Sequence, residues 1–313
     1  MARALGAQAQ MALAFEIAYG KPPDSGFIKM PFVSTTLGAE QSLIDNDLIG
    51  GGRDPSPPAL DTVTADGDVV APIDTHTFPL WLKSAFGPPT TTGKGPYTHE
   101  FHSGAAKLPS LSIEVGLPEV PYYGLYSGCV ADKINWRMER SGQLTATVNL
   151  VAQGESVKDQ SQTGSPVSPA AGRRFGHFNG SISRDGVSLG NVVSADLTYA
   201  NNLNRVETIR SDGKIEGVDP GIAALIGSIE VRFADQILLR QASKHAPCVL
   251  EFGYELPSGE SLKITAHSVY LPVPRREISG PGGVQVSFDW QAARDKTLGR
   301  MCAVTLVNSS KGI

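Results

Sequence analysis

Residues 67–87 read GDVVAPIDTHTFPLWLKSAFG, and the order of side chains in that stretch sets the plan of the chain. The apolar run 69–73 predicts a short strand. Asp74 follows it, with a carboxylate able to accept from the free N–H groups of a helix start. Residues 75–86 then predict a helix that stops at Gly87. The same order returns at 227–247, GSIEVRFADQILLRQASKHAP, with a strand at 229–233, Asp235 as the cap and a helix at 236–245. The offset is 160 residues, and it extends upstream, where VSTTL at 33–37 precedes VSADL at 193–197 by the same count. Two strand–loop–strand–helix units at one offset point to an internal duplication. Chance likeness between two common β–α connections is the competing reading.

The 313 residues are enough for a large core and suggest two domains. With 34 glycines and 22 prolines the composition favours many turns and an all-β bias. A formal charge of −4 argues against a general nucleic-acid binder, which presents a basic face, while leaving room for an acidic channel through which nucleic acid slides. Cys129, Cys248 and Cys302 are odd in number and form no CxxC, which reads as reduced thiols and assembly in a cytosol. No apolar run approaches the roughly 20 residues of a membrane span. Gln8 and Gln10 interrupt the apolar N-terminal stretch, so residues 1–30 read as a surface arm or short helix rather than a signal peptide.

Further along, period-two alternation predicts strands at 111–115, 134–139, 144–150, 180–183, 192–199, 249–254, 262–269, 284–290 and 301–307, after a first strand at 32–37. Ser141-Gly142 makes 134–139 and 144–150 an antiparallel hairpin. Two long connections, 38–65 and 201–226, occupy matching places in the two halves. Both carry more apolar residues than a free loop needs: Leu43, Ile44, Leu48 and Ile49 in the first, Ile209, Ile215 and Val218 in the second. A partner surface would bury them. The polar stretch 154–172 is the natural linker. The resulting division is an arm (1–30), a first domain (31–154), a linker (155–175) and a second domain (176–313).

Candidate chemistry is thin. GPPTTTGKG at 87–95 fails as a phosphate loop, because Lys94 is followed by Gly95 and the stretch follows a helix; it reads as a turn. His99 and His102 are separated by an odd count and point to opposite faces of a strand, so they read as an exposed, unliganded strand end. There is no Gly-x-Ser-x-Gly elbow, no paired metal-ligand spacing and no cofactor motif. The tyrosines 122, 123 and 126 read as packing under a loop, and the basic pairs Arg173-Arg174 and Arg275-Arg276 as solvated surface.

Certain phrases carry a resemblance: PFVSTTLGAEQ at 31–41, LIGGGRDP at 48–55, GDVVAPID at 67–74, PSLSIEVG at 109–116, and NNL at 201–203 followed by residues 227–235. Over roughly 2–308 the chain resembles the tail tube proteins of long-tailed bacteriophages. The resemblance implies a mainly β fold of two tandem tail-tube-like β-sandwich or barrel domains, each with one α-helix and a long loop. It implies rings joined sheet edge to sheet edge, with each loop reaching the next ring. On that basis Leu43, Ile44, Leu48, Ile49, Arg53, Asp54, Ile209, Ile215 and Val218 are expected at contacts between subunits or rings. A duplicated subunit needs only three copies for pseudo-sixfold symmetry. The polar strand faces, Thr145, Thr147 and Asn149 with Gln285, Ser287 and Asp289, are expected to line the lumen, which must be poor in cations to release DNA. Expected partners are further copies, a tape-measure protein, a tail terminator and distal tail or baseplate proteins, with DNA only in transit. No membrane, cofactor, metal or enzymatic activity is expected, and the place of the protein is a virion tail. The inner tube of a contractile tail and a carbohydrate- or receptor-binding β-sandwich are the alternatives.

Overall fold

The computed structural model describes residues 3–46, 49, 53–275, 278, 280 and 282–313. The first half contains β1 (Gln10–Phe15), β2 (Ile28–Lys29), β3 (Ser34–Thr35), β4 (Gly38–Asn46) and β5 (Ser56–Pro72), then α1 (Phe78–Phe86). It continues with β6 (Thr90–Gly93), β7 (Tyr97–His102), β8 (Leu111–Leu117), β9 (Tyr122–Met138), β10 (Thr145–Ala152) and β11 (Gly154–Lys158). The second half contains β12 (Gly180–Arg184), β13 (Val187–Ser188), β14 (Val192–Ala200), β15 (Asn204–Val206), β16 (Gly217–Asp219) and β17 (Ala224–Arg232), then α2 (Ile237–Lys244). It ends with β18 (Cys248–Glu255), β19 (Ser261–Tyr270), β20 (Gln285–Ala292) and β21 (Cys302–Asn308). The fold is mainly β and its ladders are antiparallel.

The expected repeat is visible in the ladders. Ser34 pairs with Val70 and Thr35 with Val69; Ser194 pairs with Glu230 and Ala195 with Ile229. Adding 160 to each number of the first ladder gives the second. Gly67 and Gly227 occupy the same place in this repeat. A Cβ on Gly67 would collide with the Thr36 carbonyl, and one on Gly227 with the Asp196 carbonyl, again 160 residues on. The close backbone approach needs glycine twice.

Six strands, β5, β10, β9, β14, β17 and β20, run side by side as one sheet. β9 belongs to the first half and β14 to the second, so the halves share a seam of six residue pairs, from Ala195↔Met138 to Ala200↔Lys133. A second crossing is made by β21, which pairs with β7. One apolar face of the sheet is buried: Trp136, Leu197, Ile229 and Phe288 are at most 2% exposed. The α1 helix lies on that face, its Phe86 ring stacked 4.1 Å from Tyr199.

The α1 helix begins at Phe78 rather than Thr75. The Asp74 Oδ1 accepts from the N–H groups of His76 (2.8 Å), Thr77 (2.5 Å) and Phe78 (3.3 Å), so the first residues form a turn around the carboxylate. Gly87, at φ 87°, closes the helix. In α2, Asp235 accepts from the Ile237 N–H at 2.8 Å.

Four expectations need correction. Residues 10–15, read as surface arm, form β1 between β2 and β8 with Met11–Ala14 buried; strand neighbours on both sides and burial on both faces explain a run without alternation. The connection 38–65 is largely a hairpin of β4 and β5. The first strand, expected at 32–37, covers only Ser34–Thr35. The linker is pinned: buried Glu114 accepts from the Ser161 hydroxyl (2.7 Å) and the Gln162 N–H (2.6 Å), and Phe175 is buried in the core.

Candidate assembly surfaces

The face of the six-stranded sheet opposite α1 is mostly polar, with Val70 and Ile226 as apolar exceptions. One row of paired residues crosses it as Val70, Thr147, Asn135, Thr198, Ile226 and Gln291. A second runs Arg137, Asp196, Ser228 and Asp289. Directly opposed residues share a face, and so do residues two apart on a strand. Thr145, Thr147, Asn149, Gln285, Ser287 and Asp289 therefore all lie on this one face. Three of its carboxylates are held by neighbours: Asp68 accepts from the Asn149 amide at 2.9 Å, Glu230 from the Ser194 hydroxyl at 3.0 Å, and Asp196 from Ser228. Its cations are Lys133, Arg137 and Arg232, and Arg137 is paired with Glu139 at 2.9 Å.

Both ends of the strand order are open. Among the described residues, Gln285–Trp290 have a full ladder on the β17 side alone, since β19 meets β20 only at Val269 and Tyr270. In the first half the matching strand, β10, is covered by both β5 and β9. At the other end β3 and β4 pair with β5 and, among the described residues, with no further strand. A cleft of about 660 Å³ follows the β20 edge, lined by Trp290, Asp289, Tyr270, Leu271, Pro272 and His245.

The two long connections differ. β10 covers β5 only from Ala65 to Pro72. Beyond that point β4 and β5 project as a two-stranded arm, with Leu43, Ile44 and Leu60 exposed, Ile49 fully so, and Arg53 and Asp54 exposed in a bend. Leu48 lies outside the described residues. Pro57 and Pro58 sit on a strand with one ladder partner, where a missing N–H costs nothing. The second connection folds back against the base of the arm. The Val63 N–H donates to the Gly213 carbonyl at 3.1 Å, Arg205 forms an ion pair with Asp66, and the Gln153 amide donates to the Ile215 carbonyl at 3.2 Å. Ile215 and Val218 are half-buried there, and Ile209 is fully exposed. A cavity of about 370 Å³ separates the two connections.

The remaining candidates are structural. His99 is buried, which corrects the exposed reading. Thr91 bonds its Nδ1 at 2.8 Å, and the Asn308 side chain (3.0 Å) and Ser310 carbonyl (2.9 Å) bond its Nε2. All three cysteines are buried thiols; burial pushes Cys302 up to about 12 and Cys248 up to about 11. Tyr122 and Tyr126 both donate to Glu155 Oε1 at 2.9 Å. The stretch 87–95, read as a turn, is corrected in part: residues 90–93 form β6, paired with β7. Among the described residues no group of three His, Cys, Asp or Glu is arranged to hold a metal ion, and no helix is long and apolar enough to cross a membrane.

Sequence reasoning missed the seam and the open edge of β20. Only the last residues of β9 alternate, and nothing local in them marks β14 as a neighbour.

The fold is a mainly β one with a largely polar sheet face and a strand edge left without a full ladder at β20 among the described residues. A family model described as phage tail tube protein matches residues 6–292, and the chain belongs to that family. It is a component of a virion tail. No curated protein matches the chain.

Proposed function

We propose that the protein polymerises into stacked rings that form the conduit for DNA in a phage tail. The observation that carries this reading is the β9–β14 seam. Two repeats of one plan are already joined edge to edge within a single chain, and the joined sheet ends in open edges at β3–β4 and β20. Unpaired edges of this length are a liability to a monomer and a joint for a polymer. Three copies, each supplying two repeats, close a pseudo-sixfold ring. The polar face, with Thr145, Thr147, Asn149, Gln285, Ser287 and Asp289, lines the lumen. Its cations are few and its carboxylates repel phosphate, so passing DNA releases few counterions and is not held. The apolar residues of the arm and of the second connection lie at contacts with neighbouring copies. The tape-measure, terminator and distal tail or baseplate proteins cap or template the stack, which is assembled in the host cytoplasm.

Negative-stain electron microscopy of the purified protein over a range of concentrations tests this. Hollow rings or tubes are expected, with a mass per ring of three chains. Compact particles that never stack, even with a tail-initiation complex added, would overturn the reading.

A further inference from the structure

The two ends of the sheet are unlike, and strand registers say which is which. At one end lie Ala152, Ala200 and Ala292, the last residues of β10, β14 and β20, and from this end the arm projects. At the other lie Pro72, Thr145, Met138 and Arg232. Here a cleft of about 830 Å³ opens between the close of β9, the turn at His177–Asn179 and the start of β14.

The cleft and the arm have opposite character. The cleft presents Phe178, 87% exposed, with Val192 and Val193 beside it. Its one lining carboxylate, Glu139, is taken up by Arg137 at 2.9 Å. Arg140 and Arg232 line it too, and neither makes an ion pair among the described residues. The described residues of the outer arm, within 40–61, carry Glu40, Asp45, Asp54 and Asp61 against a single cation, Arg53. They also expose Leu43, Ile44 and Leu60. A large exposed aromatic and a row of exposed aliphatics each ask for cover. Opposite charge steers them together and fixes their register. A contact from one end of a molecule to the opposite end of the next is heterologous and repeats without closing.

We propose that this cleft receives the arm of a second copy stacked on the first. Phe178 and the two valines cover the arm's leucines and isoleucine, and Arg140 and Arg232 meet its carboxylates. The assignment rests on the tube reading and adds to it the seat of the arm.

Two single-cysteine additions test it in the full chain: Leu43→Cys on the arm and Gly190→Cys in the cleft wall. A Cβ at Gly190 meets nothing within 4 Å, and the native thiols are buried. The two variants are mixed and treated with a short bismaleimide. A cross-linked dimer is expected in the mixture and in neither variant alone. Arg140→Glu with Arg232→Glu in the cleft partner lowers its yield about tenfold, as like charges face each other, and Asp45→Arg with Asp61→Arg on the arm partner restores it. Cross-linking of Leu43→Cys with itself overturns the proposal in favour of arm-to-arm contact. Tubes visible by microscopy without a 43-to-190 link overturn the seat and leave the tube reading standing. No link and no rings or tubes at any concentration overturn both.

Discussion

The two halves follow one plan in different surroundings. The α1 helix is sealed: eight of its nine residues are buried, from Phe78 to Phe86. Its remaining residue, Lys83, donates to the Ile313 main-chain oxygen at 2.9 Å and lies 4.3 Å over the Phe15 ring, so the end of β1 and Ile313 are both drawn onto it. Burial lowers the pKa of that ammonium. The α2 helix buries only Leu238 and Ala242. The connections differ in the reverse sense, since the first stands out as an arm and the second folds back. The two halves thus share a ladder register to the residue while their peripheries differ. Register is fixed by one buried face, because a one-residue slip would turn every apolar side chain outward. Nothing comparable constrains the helix surroundings or the loops.

The largest expected effect contrasts the first helical residues of the two halves. Phe78→Ala costs about 3–5 kcal/mol because it opens a cavity in close-packed surroundings. Ile237→Ala, at a position 42% exposed, costs about 0.5 kcal/mol. Urea unfolding midpoints check both, and equal costs would break the contrast. Next come the two caps. Asp74→Ala strips three N–H groups of an acceptor in a buried site and costs about 2 kcal/mol or more, whereas exposed Asp235→Ala costs about 0.5–1 kcal/mol. The smallest effect is a pH dependence confined to the second half. Burial, then the Arg300 charge, lowers the pKa of His267 below its ordinary 6.5. The unfolded chain therefore binds a proton there that the folded one resists. Stability from this group is full above pH 6.5 and falls as pH drops through that value toward the folded pKa. His267→Gln should lose less stability than the parent between pH 7 and pH 5; an unchanged difference would remove His267 from the account.

Much of the fold was legible in the sequence. The strands 134–139 and 144–150 alternate because one face is buried and the other polar, and both ladders stand where expected. The caps at Asp74 and Asp235 announced the helices. The strand β1 was illegible because burial on both faces erases alternation. The arm was illegible for the opposite reason: it is exposed on both faces, and no period marks it. His99 looked exposed because the groups that satisfy it, on Asn308 and Ser310, lie more than 200 residues away. The polar face was legible as residues, strand by strand. Its continuity was not, since no local pattern announces that β9 will meet β14.

That meeting has a kinetic side. A seam closed while one chain folds is first order in protein and indifferent to dilution, because the tether holds its two edges at a high effective concentration. A joint between separate chains, as proposed for β20 and β3–β4, would be second order and would fail when copies are scarce. Dilution should therefore dissociate the proposed assembly at one kind of joint and leave the other intact.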